Sequence, residues 1–197
     1  NQITTVFPTS ISVDSATISG NASIGGTLGV TGVSTLSDNI VFDASSKGVH
    51  LGVTSATASN LLDDFEEGTF DLTVSDATSG GNTGSVTQSN KYTKIGDTVI
   101  LQLNLVNITT TGLTGATNLY LQGSPFTPAS DSYGSGSVTA NLINVEASCF
   151  SFNIFINAGQ SYLSFNQSLD DAGSGTTHVN KFNNGNADAF ATVIFKV

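Results

Sequence analysis

Apolar residues recur every six positions near the start of the chain. The positions of this column are Ile18, Ile24, Val30, Leu36 and Phe42. Glycines recur with the same period, two residues after the column, at Gly20, Gly26 and Gly32. A period of six is a multiple of the strand period of two and not of the helical period of 3.6, so it predicts extended chain that bends once per unit.

Hexapeptide repeats of this kind build β-helices, in which the apolar column points inward and stacked units cover each other. A single chain has hexads for little more than one coil of such a structure. Three identical chains together have enough for a core, so the repeat predicts a trimeric β shaft with the apolar column at its centre. An irregular Gly/Ser/Thr linker with chance periodicity is the alternative.

The sequence predicts three parts: an N-terminal anchor and shaft over residues 1–50, a connector over 51–68 and a head over 69–197. In the connector, a partial helical face formed by Leu61, Leu62 and Phe65 predicts a short helix over Ala56–Phe65, with Gly68 as its stop. We interpret this helix as a collar between the shaft and the head.

Beyond Thr69 the chain alternates between strand patterns and turn clusters. Val99, Leu101, Leu103 and Leu105 alternate with other residues, which indicates one buried and one wet face. The main predicted strands are Lys91–Ile95, Val99–Ile108, Leu119–Leu121, Val138–Val145, Cys149–Ile156, Tyr162–Phe165 and Ala187–Val197. Ser168–Gly175 is predicted as a polar loop. Short strands at this spacing predict an all-β head, an antiparallel β-sandwich of jelly-roll type.

Composition and charge limit the classes of partner that we expect for this chain. Charged residues make up only 10% of the chain, the formal net charge is −10, and the five basic residues are scattered lysines. Nucleic acid and anionic membrane surfaces are therefore not expected as partners, because both require a basic patch. No apolar run is long enough to insert into a membrane. The single cysteine, Cys149, is expected to be a small buried hydrophobe.

Three short motifs carry a family resemblance. Leu61–Phe70 (LLDDFEEGTF), Tyr92–Val99 (YTKIGDTV) and Gly123–Phe126 (GSPF) resemble elements of tail-fibre-like structural proteins of marine tailed bacteriophages, cyanophages among them. In those proteins a string similar to the first motif joins a Gly-rich shaft to a C-terminal β domain. The resemblance covers roughly residues 15–128 and implies a trimeric virion protein displayed outward, on the tail or on the capsid.

Paired acids are the best candidates for enzymatic chemistry. Asp63/Asp64, Glu66/Glu67 and Asp170/Asp171 are neighbours in sequence, and adjacent strand residues point to opposite faces, so they do not form a catalytic dyad. Calcium binding at the third pair is a weaker possibility. We therefore expect no enzymatic activity, no catalytic residue, no cofactor and no metal site.

Polar head loops are the predicted binding determinants. Tyr133 lies in a Gly/Ser-rich stretch where its ring could stack on a sugar, and Asp131, Asp170 and Asp171 are further candidates. The predicted function is host-surface attachment by a trimeric virion fibre that contacts a cell-surface glycan or protein. Its N-terminal segment would contact another virion protein. The alternatives are a capsid-mounted fibre or decoration protein and a glycan-cleaving tailspike.

Overall fold

The computed structural model describes residues 17–44, 47–53, 55–57, 60–170, 173 and 175–197. It divides into two compact units, Asn1–Val41 and Phe42–Val197. The described residues contain antiparallel β-sheets and no α-helix, which confirms the all-β prediction. The proposed anchor at the start of the chain lies outside the described residues.

The first unit bends with the period of the sequence repeat. Bends lie at residues 19–20, 25–26, 31–32 and 37–38, each directly after a member of the apolar column. The four column members in this unit, from Ile18 to Leu36, are 52–64% exposed. Within one chain, therefore, the hexads have a regular local geometry but leave their apolar side chains uncovered.

The predicted helix over Ala56–Phe65 is wrong. Strand β1 (Val49–His50) pairs antiparallel with strand β2 (Leu61–Leu62), and strand β3 begins at Phe65. A ten-residue helix with only a partial apolar face gains too little to offset the cost of nucleation, whereas Leu61, Leu62 and Phe65 find strand partners.

Gly68, predicted as a helix stop, lies instead inside strand β3. A Cβ atom at this position would come within 2.8 Å of the Tyr92 ring on the neighbouring strand, so the glycine leaves room for that ring over the backbone. The sheet of the head thus starts within the predicted connector.

Eleven strands form the sheet of the second unit. They are β3 (Phe65–Phe70), β4 (Thr73–Ser75), β5 (Ser85–Gln88), β6 (Asn90–Ile95), β7 (Thr98–Thr109), β8 (Tyr120–Gln122), β9 (Gly134–Asn141), β10 (Cys149–Ile156), β11 (Tyr162–Leu169), β12 (Gly175–Thr176) and β13 (Ala187–Lys196). A short 3₁₀ turn covers Val179–Lys181.

The sheet curls until its edges meet. Its main path runs β3-β6-β7-β13-β9-β10-β11-β8-β4, and the two edge strands are consecutive in the chain. Strand β5 pairs with β7, and the bridge between Ser75 and Thr83 links the approach to β5 with β4. The amide of Gly84 donates to the carbonyl of Val74 at 2.9 Å. The predicted sandwich-like head is therefore one continuous antiparallel sheet that encloses its own core.

Strand β7 supplies the centre of the core. Val99, Leu101, Leu103 and Leu105 are buried, as their alternation predicts. The alternation shifts at Asn107, which has a positive φ of 57°, and burial resumes at Ile108. In this region β7 has one residue more than either of its partners: three steps along β7 correspond to two steps along β13 and to two along β5. This is a β-bulge in β7.

Asp188 on β13 holds the bulge. Its carboxylate oxygen Oδ1 accepts a hydrogen bond from the Asn107 amide at 2.9 Å, and Oδ2 accepts one from Nδ2 of Asn141 at 3.2 Å. The carboxylate therefore satisfies a backbone donor that the skipped ladder position leaves unpaired.

The largest differences from the predicted strand bounds are at β9 and β11. Strand β9 spans Gly134–Asn141 rather than Val138–Val145, and β11 continues to Leu169 into the predicted polar loop. Gly134 looks like a loop residue but faces the core, where a Cβ atom would come within 2.6 Å of Cγ2 of Ile156. Its missing side chain is therefore a packing requirement rather than a turn signal.

A cluster of rings fills the other side of the core. Phe165 on β11 is fully buried and stacks on Phe152 with 5.7 Å between ring centroids. Phe182 contacts the same ring at 5.3 Å in a tilted arrangement. Aromatic pairs of this geometry add stabilisation beyond their buried area.

We predict that Phe165→Ala lowers the free energy of unfolding of the head by about 3–5 kcal/mol, because it leaves a ring-sized cavity between two other rings. Phe150→Ala is the matched control, since Phe150 is 73% exposed. Denaturant titration followed by circular dichroism measures both. Equal losses for the two variants would contradict the core assignment.

Candidate binding surface

The outer face of the head sheet is polar with a few apolar side chains. On strand β13 the inward residues are Ala189, Val193 and Phe195, and the outward residues include Phe190 and Thr192. Phe190 is 40% exposed and stands opposite Asn104 on β7 and Thr139 on β9. The face therefore places an aromatic ring among amide and hydroxyl groups.

A shallow groove of about 510 Å³ crosses this face over strands β7, β13 and β9. Its outward side chains are Gln102, Ser137, Thr139, Phe190 and Thr192. All of them are uncharged. The groove thus combines hydrogen-bonding groups with one apolar ring.

Tyr133, a predicted candidate, is exposed as expected. Its ring is 62% exposed and stacks on Phe155 of β10 with 6.0 Å between centroids. Phe155 stands opposite Ser135 on β9, and Ser135 stands opposite Ile194 on β13. The stack therefore lies on the same outer face as the groove, along a different row of cross-strand neighbours.

Asp131 and Asp170 lie at opposite ends of strands β10 and β11. Asp131 is exposed within a turn that the Ser132 amide closes by donating to the Ala129 carbonyl at 3.0 Å. Asp170 is exposed and its amide donates to the carbonyl of Ser148, near the start of β10. An eight-residue strand spans roughly 20 Å, so the candidates do not form one site. Asp171 lies outside the described residues.

Sequence reasoning missed two exposed aromatic residues. Phe150 is the extra residue of a β-bulge, because Cys149 pairs with Leu169 and Ser151 with Ser168. Phe190 is out of phase with Val193 and Phe195 in its strand. The parity of Phe190 could have been read from the sequence, whereas Phe150 has the parity of the buried Ile154 and Ile156 and is exposed only because of the bulge.

Cys149 is partly buried rather than fully buried. Its Sγ atom lies 3.3 Å from the carbonyl oxygen of Ser151. Within the described part of the chain, no three His, Cys, Asp or Glu residues come together as a metal site would require.

Among the described residues, three lysines form ion pairs with acidic residues on the surface of the head. Lys94 pairs with Asp64 and with Glu66, Lys181 with Glu146 at 2.6 Å, and Lys196 with Asp97 at 3.0 Å. Lys94 thus engages one acid from each of two adjacent couples, Asp64 of Asp63/Asp64 and Glu66 of Glu66/Glu67. Hydrogen bonds from Lys196 and Lys181 lower the pKa values of Asp97 and Glu146.

Asp76 organises the loop after strand β4. Its Oδ1 accepts from the Asn82 amide at 2.9 Å, and its Oδ2 accepts from Nδ2 of Asn82 at 2.7 Å and from the Thr114 amide at 3.1 Å. These bonds, with that from the Asn82 side chain the largest, lower the pKa of Asp76 from 3.8 to about 2. The ionised carboxylate therefore connects two loops.

No helix of the described residues has the length and apolarity that crossing a bilayer requires. No family model, curated protein or solved structure matches the chain significantly.

We predict that Asp76→Asn lowers the melting temperature at pH 7. The substitution replaces one carboxylate oxygen by an amide nitrogen, which accepts no hydrogen bond, so bonds from Asn82 or from Asn82 and Thr114 are lost. The folded-state pKa of Asp76 is depressed, so its contribution is present above pH 4 and is lost as pH falls toward 2. The difference between wild type and variant should therefore shrink over that range. Thermal melts across pH measure it, with the exposed Asp131→Asn as control. A difference that persists unchanged at pH 2 would contradict this role.

Proposed function

We propose that this chain is a virion fibre protein whose three copies form a hexad-repeat β shaft and whose jelly-roll-like head attaches to a host surface. The apolar column supports this proposal most directly. It is regular in sequence, it bends in register with the repeat, and it is exposed in one chain. The motifs that resemble tail-fibre-like phage proteins support the virion assignment.

Energetics favour a covered column. Each fully buried Ile, Val or Leu side chain contributes about 1.5–3 kcal/mol relative to exposure, and one chain buries none of its four column members in the first unit. Around a threefold axis, three copies can cover one another's columns with identical contacts. The bends would then mark the corners of a three-sided shaft.

A trimeric shaft would also suit attachment. Three heads present the same outer surface three times, and linked contacts gain affinity from their high effective concentration. Tyr133, Asp131, Asp170 and Asp171 remain candidate contacts in the head loops. The N-terminal segment would join the fibre to another virion protein.

The test is the solution mass of the full chain by light scattering. We expect the mass of a trimer for the full chain and the mass of a monomer for a version without residues 1–41. In the full chain, Ile24→Asp should dissociate the trimer, because three carboxylates would be buried near one axis without partners.

Thr27→Asp is the matched control, since it adds the same charge three residues away, outside the column, and should stay trimeric. A monomeric full chain, or an Ile24→Asp variant that remains trimeric at low concentration, would refute the shaft.

A further inference from the structure

We propose that the groove across strands β7, β13 and β9 binds a neutral oligosaccharide, with Phe190 as the stacking ring and Gln102, Ser137, Thr139 and Thr192 as hydrogen-bonding partners. This inference rests on the proposed attachment function. It names a ligand class, and it places the contact on a sheet face rather than in the loops.

The position of Phe190 is the first observation. The core side of β13 is already filled by Ala189, Val193 and Phe195, whereas the Phe190 ring faces outward and is 40% exposed. Its cross-strand neighbours are Asn104 and Thr139. A ring left in water between polar neighbours offers an apolar face to a ligand whose other groups are polar.

The polar lining is the second observation. A glutamine amide both donates and accepts, and so does each Ser or Thr hydroxyl. Sugar hydroxyls have the same dual character. These side chains lie on three adjacent strands of a continuous sheet, which holds their backbones at fixed spacing. The site is therefore largely preorganised for binding.

Charge indicates a neutral rather than an acidic sugar. The chain carries a formal net charge of −10, and long-range repulsion disfavours an anionic ligand. The closest acid along β13, Asp188, is engaged by Asn107 and Asn141. Lys91, which stands opposite Gln102 on β6, is the cation nearest in register, so acidic glycans belong in the test.

The size of the groove suits a short oligosaccharide. The groove volume of about 510 Å³ lies within the range of roughly 300–1,000 Å³ that small-molecule sites occupy. A short oligosaccharide lying across the strands fits these dimensions.

The experiment uses the full-length protein on an array of neutral and acidic oligosaccharides derived from bacterial surface polysaccharides. We expect binding to neutral members. Phe190→Ala should weaken it at least tenfold, and so should Thr139→Lys, which places a bulky charge in the groove. The control is Phe150→Ala, which removes an exposed ring outside the groove and should leave binding unchanged. Thermal melts verify that each variant is folded.

Three results would overturn the proposal: no binding to any member of the array, a preference for acidic members, or equal losses for Phe150→Ala and Phe190→Ala. Light scattering on the same samples distinguishes the failure of this proposal from the failure of the fibre proposal. A trimer that binds no glycan contradicts glycan binding in the groove and supports the shaft. A monomer that binds neutral glycan contradicts the shaft and supports binding in the groove. A Phe190→Ala variant that loses its trimer mass would identify the groove as a contact between copies.

Discussion

The pairing of strand β7 along its twelve residues is the constraint on which the head depends. One edge of β7 bonds to β6 in its first half and to β5 in its second, and the other edge bonds to β13. Because β5 also approaches β4, this double pairing lets the two ends of the sheet meet. The alternating apolar residues of β7 then face an enclosed space, and their burial stabilises the curled sheet.

The same alternation decides which side chains form the outer face of the head. A strand with a buried face must present its other residues outward, so each change of parity sends a side chain to the opposite side. The bulge at Asn107 restores burial for Ile108, and the bulge at Phe150 sends an aromatic ring into water. Phe190 needs no bulge, because it lies on the outward parity of β13.

Apolar side chains are exposed in the hexad repeat and buried in the head. In the head, strands distant in sequence cover one another, and Leu101 and Phe165 lose all exposure. In the hexads, bends every six residues keep the chain open, and the apolar column stays uncovered. In the described residues the hexads form no strand pairs and their column stays exposed, and this exposure is the physical basis for the proposed trimer.

The sequence by itself determined the all-β class, the phase of β7, the bounds of β10 and the hexad period, because alternation and repeats are local and leave direct signals. Tertiary structure alone decided the strand at Leu61–Leu62, the inward glycine at Gly134 and the closure of the sheet. It also decided the candidate binding surface: Tyr133 could be recognised as exposed, but its stacking on Phe155 and the groove beside Phe190 depend on strand order. Strand order arises from pairings between distant segments, which no local pattern records.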